Sequence, residues 1–300
     1  MLNKEKFKKI IPDNYKIEKL YTGTIWAEGP VWISERNLIV WSDVKSNKML
    51  SHNIQTKDTS DFRNPSEFNN GNCTDLSGRL IRCQHGKRRV IREEKDGSII
   101  IIADNYDGRK LNSPNDVAVS KSGNIWFTDP PYGILTDQEG HKSQSEQDGN
   151  NLFMVNKNLE IKKIDAKFDK PNGLVFSPDC KYLYVADSGA AEPGNFDLSR
   201  PHNIQKFELD ENENIINNEI FTEIDNGFPD GMTVDIEGNL IVCDPNGKKI
   251  HIFDPSSEII GYIDIPERVA NCTFGGENRS DLYITASTSL YKLKTLTKGL

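Results

Sequence analysis

Three hundred residues with 36% hydrophobic and 9% aromatic content can build a sizeable core, which excludes the disordered class. A formal net charge of −8 repels phosphate backbones and anionic lipid, excluding nucleic acid and membrane surfaces as general partners. The five cysteines (Cys73, Cys83, Cys180, Cys243 and Cys272) are scattered, odd in number and without a C-x-x-C pair, which excludes a disulfide framework or zinc knuckle and fits a reducing compartment.

The chain starts "MLNKEKFKKIIPDNYK", which has lysines but neither an apolar core nor a small-residue cleavage site. No stretch of about 18 apolar residues occurs anywhere, so a cytoplasmic protein is expected. The segment "YKIEKLYTG" then reads as a strand and is a candidate partner for "SLYKLKTL" at the far end of the chain.

From Ala27 onward the sequence is a succession of hairpins, with no helical periodicity beyond a couple of turns. In chain order the paired strands are "EGPVWISE" with "RNLIVWSD", "NGNCTDLSG" with "GRLIRCQH", and "NDVAVSKSG" with "GNIWFTDP". They continue as "NGLVFSPD" with "KYLYVADS", "DGMTVDIEG" with "GNLIVCDP", and "NCTFGGEN" with "SDLYITAS". Their anchoring residues Leu38, Leu80, Ile125, Leu183, Leu240 and Leu282 recur about every 49 residues, a spacing suited to four-stranded propeller blades. The expected fold is all-β, a six-bladed β-propeller forming one domain over residues 1–300.

Each repeat places a polar residue ten or eleven positions before its anchor: Glu28, Asn70, Asn115, Asn172, Asp230 and Asn271. Because the first strand of a blade lines the central channel, these residues are expected to ring one channel mouth. Counting outward from the turns sets Glu28 opposite Asp43, Asn115 opposite Asp129, Asn172 opposite Asp187 and Asp230 opposite Asp244, with Asn70 near His85. These aspartates are expected to tie adjacent blades together. Two long polar segments follow this face, "YGILTDQEGHKSQSEQDGNN" and "SGAAEPGNFDLSRPHN", and read either as lids or as simple surface insertions.

Two carboxylates and four carboxamides on one axis call for something positive between them. Their donors are oxygens, which favour one divalent ion, Ca²⁺ first, with Mg²⁺, Mn²⁺ or Zn²⁺ as alternatives. The other reading is that these side chains cap strand ends. An ion open on one side can act as a Lewis acid on a carbonyl or phosphoryl oxygen. A Ser-His-Asp triad has little support, because His85 is the one histidine near the face. The cluster "HGKRRVIR" reads as a solvated strand face, or as His85, Arg88 or Arg89 reaching substrate. Trp26, Trp32, Trp41 and Trp126 read as blade packing.

From "AEGPVW" through "SPNDVAV", "GNIWFTDPPYG" and "KPNGLVFSPD" to "PDGMTVD", the sequence resembles the SMP-30/gluconolactonase family of six-bladed propellers, and "CQHGKRRV" points to its bacterial gluconolactonase branch. The resemblance implies Glu28, Asn172 and Asp230 as metal ligands, Asn115 as a further ligand or substrate contact, and Asp230 as proton acceptor. Where the regucalcin branch has an arginine, two residues before the asparagine equivalent to Asn115, this chain has Ser113. The expected activity is metal-dependent opening of a sugar lactone, with Asn115 and His85 orienting the ester. The alternatives are hydrolysis of an organophosphorus ester at the same site, or a non-catalytic propeller with a structural metal. The expected partner is therefore a small-molecule lactone.

Overall fold

The computed structural model describes residues 3–192 and 195–300. Six antiparallel sheets of four strands account for the repeats. The first blade contains Ala27–Ile33, Leu38–Asp43, Lys48–Asn53 and Thr59–Arg63. The next four span 69–103, 117–163, 171–223 and 232–264. The sixth consists of Val269–Gly275, Asp281–Ala286 and Ser289–Lys294, completed at its edge by Ile17–Thr22 from the start of the chain. The innermost strand of each blade contacts that of the next, and the sixth returns to the first, so the sheets form a closed six-bladed ring around a channel.

Apolar alternation explains why the blades stack. Ile241, Ile250 and Ile263 of the fifth blade share a core with Leu282, Ile284 and Tyr291 of the sixth. Trp41 and Ala27 of the first blade pack with Tyr283 and Leu290 of the sixth, where the ring closes. Each such side chain contributes about 1.5–3 kcal/mol on burial, so the stability of the ring lies largely between blades. Two short helices supplement the strands: Lys4–Ile10, capped by Asn3, and Tyr132–Leu135.

The strand pairing differs from simple counting at the channel end. Glu28 pairs with Ser42 and Ala27 with Asp43, while Pro171, not Asn172, pairs with Asp187. In the third blade Asn115 N–H donates to Thr128 O and Thr128 N–H to Asp116 O, so two residues face one. Asp230 and Gly231 face Cys243 in the same way. The second blade also shifts register, between Asn69 and Asn72. The physical reason is a β-bulge at the polar position, which inserts one residue and re-aims a side chain. The aspartates keep a structural role. Asp43 Oδ1 accepts from Ile25 and Trp26 N–H, and Asp187 from Asp169 and Lys170 N–H, each holding the connection that arrives from the previous blade.

Candidate active site

Five of the six predicted ring residues, Glu28, Asn70, Asn115, Asn172 and Asp230, line one cavity of about 520 Å³ at the channel mouth. The sixth, Asn271, lies lower. Its Nδ2 donates to Asp116 Oδ2 at 3.3 Å, and its Oδ1 accepts from Cys272 N–H. The backbone at each bulge explains the convergence. Gly29 has φ +48°, and a Cβ there would lie 2.2 Å from Asn70 O of the next blade. A Cβ on Gly231 would lie 2.0 Å from Asn271 Cγ, and Gly71 and Gly173 approach Asn115 and Asp230 as closely. A glycine after the polar residue therefore lets the first, second, fourth and fifth blades press against the next one's ring residue. Hydroxyls fasten the same backbone: Ser42 Oγ donates to Asn70 O at 2.6 Å and Thr128 Oγ1 to Asn172 O at 2.7 Å.

The floor of the cavity is acidic and nearly dry. Glu28 is 4% exposed and Asp230 6%. Burial, then the neighbouring charges of Asp230 and Asp116, hold the Glu28 carboxyl well above its ordinary range, opposed by the Gly29 N–H that donates to Oε2 at 3.1 Å. Asp230 is pushed up to about 8 by burial and then by Asp116, with a hydrogen bond from Asn172 opposing. Burial raises Asp116 to about 7. Clustered carboxylates left in this condition favour a cation between them, and oxygen-only donors suit a hard divalent one. Among the described residues no group of three or more His, Cys, Asp or Glu side chains is arranged to hold an ion. The donor set that fits is therefore mixed, Glu28 and Asp230 with the carboxamides of Asn115 and Asn172.

The two inserted segments both contribute to the wall of the cavity. From the first come Tyr132, Leu135 and Glu139; from the second, Glu192 and Phe196. Residues 193 and 194 of the second lie outside the described set. His85 does not reach the cavity as expected: it is fully buried behind the first segment, with its ring Nδ1 3.0 Å from Glu139 O. Burial lowers its pKa to about 4, so it sits there as neutral imidazole. Ser113 shares the task, accepting from Gly133 N–H and donating to Pro130 O. The basic cluster is likewise occupied elsewhere, with Arg88 on Leu111 O and Glu146 and Arg89 on Gln84. Trp41 and Trp126 are buried packing residues, whereas Trp26 is half-buried and lines the cavity, contrary to the packing expectation. Asp116, Tyr132, Glu139 and Arg268 were not among the expected site residues. A glycine follows four of the ring residues, and Asp116 stands in that place after Asn115, which is the one signal in the sequence that marks it.

A family model described as the SMP-30/gluconolactonase/LRE-like region matches residues 26–288. The chain belongs to this family. A gluconolactonase of Zymomonas mobilis is 32% identical over 94% of this chain and 82% of its own length. Human regucalcin is 23% identical over 87% of this chain and 83% of its own. Among solved structures, the gluconolactonase XC5397 of Xanthomonas campestris superposes with TM-score 0.88 at 29% identity, covering 98% of this chain and 93% of that one. No helix among the described residues of this family member is long and apolar enough to cross a membrane.

Proposed function

We propose that the protein is a lactonase that opens a sugar lactone such as glucono-1,5-lactone, with one divalent cation held by Glu28, Asn172 and Asp230 and completed by Asn115. The observation that carries this reading is the meeting of these four side chains on one buried cavity, in a chain similar over 94% of its length to a gluconolactonase. Ca²⁺ is the preferred ion, because the donors are all oxygens. When bound, the cation supplies charge that polarises the ester carbonyl and acidifies an attacking water.

The chain's own groups do the rest. Asp230 accepts the proton of the attacking water, and Asn115 orients the ester by hydrogen bonding. The inserted segments supply part of the cavity wall, and a polar contact gains strength there as it is shielded from bulk water. An organophosphorus ester is the second substrate class, because a P=O group offers the same kind of oxygen to the cation.

The test is acid release from a panel of lactones and one phosphotriester, with chelator and with each metal restored separately. Lactone opening that chelator abolishes and Ca²⁺ restores is the expected result. Asp230→Asn is expected to lower kcat by at least about 100-fold. Unchanged turnover in that variant contradicts the assignment of Asp230. Metal-dependent melting without hydrolysis of any ester identifies a non-catalytic propeller instead.

A further inference from the structure

We propose that Arg268, set over Trp26 at the cavity mouth, receives an anionic group, phosphate or carboxylate, that the substrate carries away from its ester. The proposal rests on the lactonase reading and deepens it by naming the substrate class. Trp26 and Arg268 both line the cavity that contains Glu28 and Asp230. The Arg268 guanidinium lies 5.7 Å from the indole centroid, and Lys45 Nζ lies 5.4 Å from it. The backbone that bears the indole is held in place: Trp26 N–H donates to Asp43 Oδ1 at 3.0 Å and Trp26 O accepts from Val44 N–H at 3.1 Å.

Charge matching singles out Arg268. Lys45 is committed to Glu139 at 3.3 Å. Glu192 is held by Lys170 at 2.7 Å and by Arg200. The neighbouring carboxylate Glu267 is also taken, by Lys19, Ser289 and Tyr291 and by both the N–H and the hydroxyl of Thr288. With Glu28 and Asp230 assigned to the proposed cation, Arg268 is the remaining charged side chain of the cavity wall without a salt bridge among the described residues, acting on Asp230 only through space. It is exposed, and among the described residues its guanidinium has no carboxylate partner. A planar guanidinium backed by an indole face is preorganised for bidentate contact with phosphate or carboxylate. A lactone whose ester reaches the acidic floor leaves the opposite end of its ring at this mouth.

The test compares kcat/KM for neutral glucono-1,5-lactone with that for its 6-phosphate and for glucaro-lactone, which carries a carboxylate at the same end. The expected ratio of anionic to neutral lactone is at least tenfold for one of the two, and which one identifies the group. That ratio falls at least tenfold in Arg268→Gln and by less in Arg268→Lys, which keeps the charge but loses the planar fork. A purely structural role lowers all substrates together and leaves the ratio unmoved, which overturns the proposal, as does a parent ratio at or below one for both. A binding arm needs no turnover: tryptophan fluorescence, with Trp26→Phe as the blank, is titrated with 6-phosphogluconate, glucarate and gluconate. Tighter binding of either of the first two, lost in Arg268→Gln, sustains the subsite even in a protein that opens no lactone, the result that removes the lactonase reading. Equal binding of all three, in a protein that opens neutral lactone, removes the subsite alone.

Discussion

Tyr132 enters the cavity from the first inserted segment with its hydroxyl buried, near Ser188 and Asn172 but in well-formed hydrogen-bond geometry with neither. Burial, followed by the nearby Asp230 charge, keeps the phenol protonated far above its ordinary range, so it can only act as a donor or neutral acceptor. A buried hydroxyl without a well-formed hydrogen bond costs stability, and here it lines the cavity proposed to take the ester. Tyr132→Phe is expected to lower kcat/KM for lactone about tenfold while the melting temperature stays level or rises. A fall in melting temperature with unchanged kcat/KM assigns the hydroxyl to packing instead. At this scale the sequence was informative where chemistry recurs in phase. Glu28, Asn115, Asn172 and Asp230 could be found because each stands ten or eleven residues before an apolar anchor. Tyr132, Glu139 and Arg268 could not, because they sit in an insertion or a connection whose path no periodicity describes. His85 lay close in sequence to the right face but one layer too deep, and only the packing of Gly133 against its ring makes that visible.

The innermost strands carry the device that turns a hairpin into a site. A bulge places the polar side chain toward the axis, and the following glycine allows the next blade to approach within contact distance. Gly29→Ala forces a Cβ into Asn70 O from a left-handed backbone, and is expected to cost about 2–3 kcal/mol of stability, read from the denaturant midpoint. An unchanged midpoint shows that the first and second blades can separate without consequence. Pairing counted from the turns was right along the body of each hairpin, as Val117 with Phe127 and Met232 with Val242 show. It failed by one residue at the channel end of the first, third, fourth and fifth blades, where Asn115 faces Thr128 rather than Asp129 and Asp230 faces Cys243 rather than Asp244, because counting from a turn does not foresee a bulge. The paired glycines were its trace in the sequence.

The whole ring depends on closure between the two ends of the chain, which share the sixth blade. Lys19 pairs with Tyr291 across that seam, and Glu267 pins both sides of it through Lys19, Thr288, Ser289 and Tyr291. Partial burial raises the Glu267 carboxyl, but the hydrogen bonds from Ser289, Tyr291 and Thr288 outweigh it and hold the group down at about 2. A carboxyl lowered on folding contributes its stability above its unfolded value near 4.5 and loses it as the pH falls toward 2. The parent is therefore expected to lose melting temperature progressively between these values. Glu267→Gln is expected to be less stable by about 2 kcal/mol at neutral pH and to show a flatter acid limb. An identical acid limb in both proteins removes Glu267 from the seam. This closure was readable in outline, since "YKIEKLYTG" is a strand with no other blade to join, while the part played by Glu267 depends on a turn that brings residues 267 and 288 together.

The central claim is that Glu28 and Asp230 share a cation at the channel mouth, and calorimetric titration of the chelator-treated protein with Ca²⁺ tests it most directly. One site of unit stoichiometry in the parent, absent from the Glu28→Gln, Asp230→Asn double variant with the fold retained by circular dichroism, is the predicted result. Binding of equal strength in parent and double variant, or no heat of binding with any divalent ion, contradicts it.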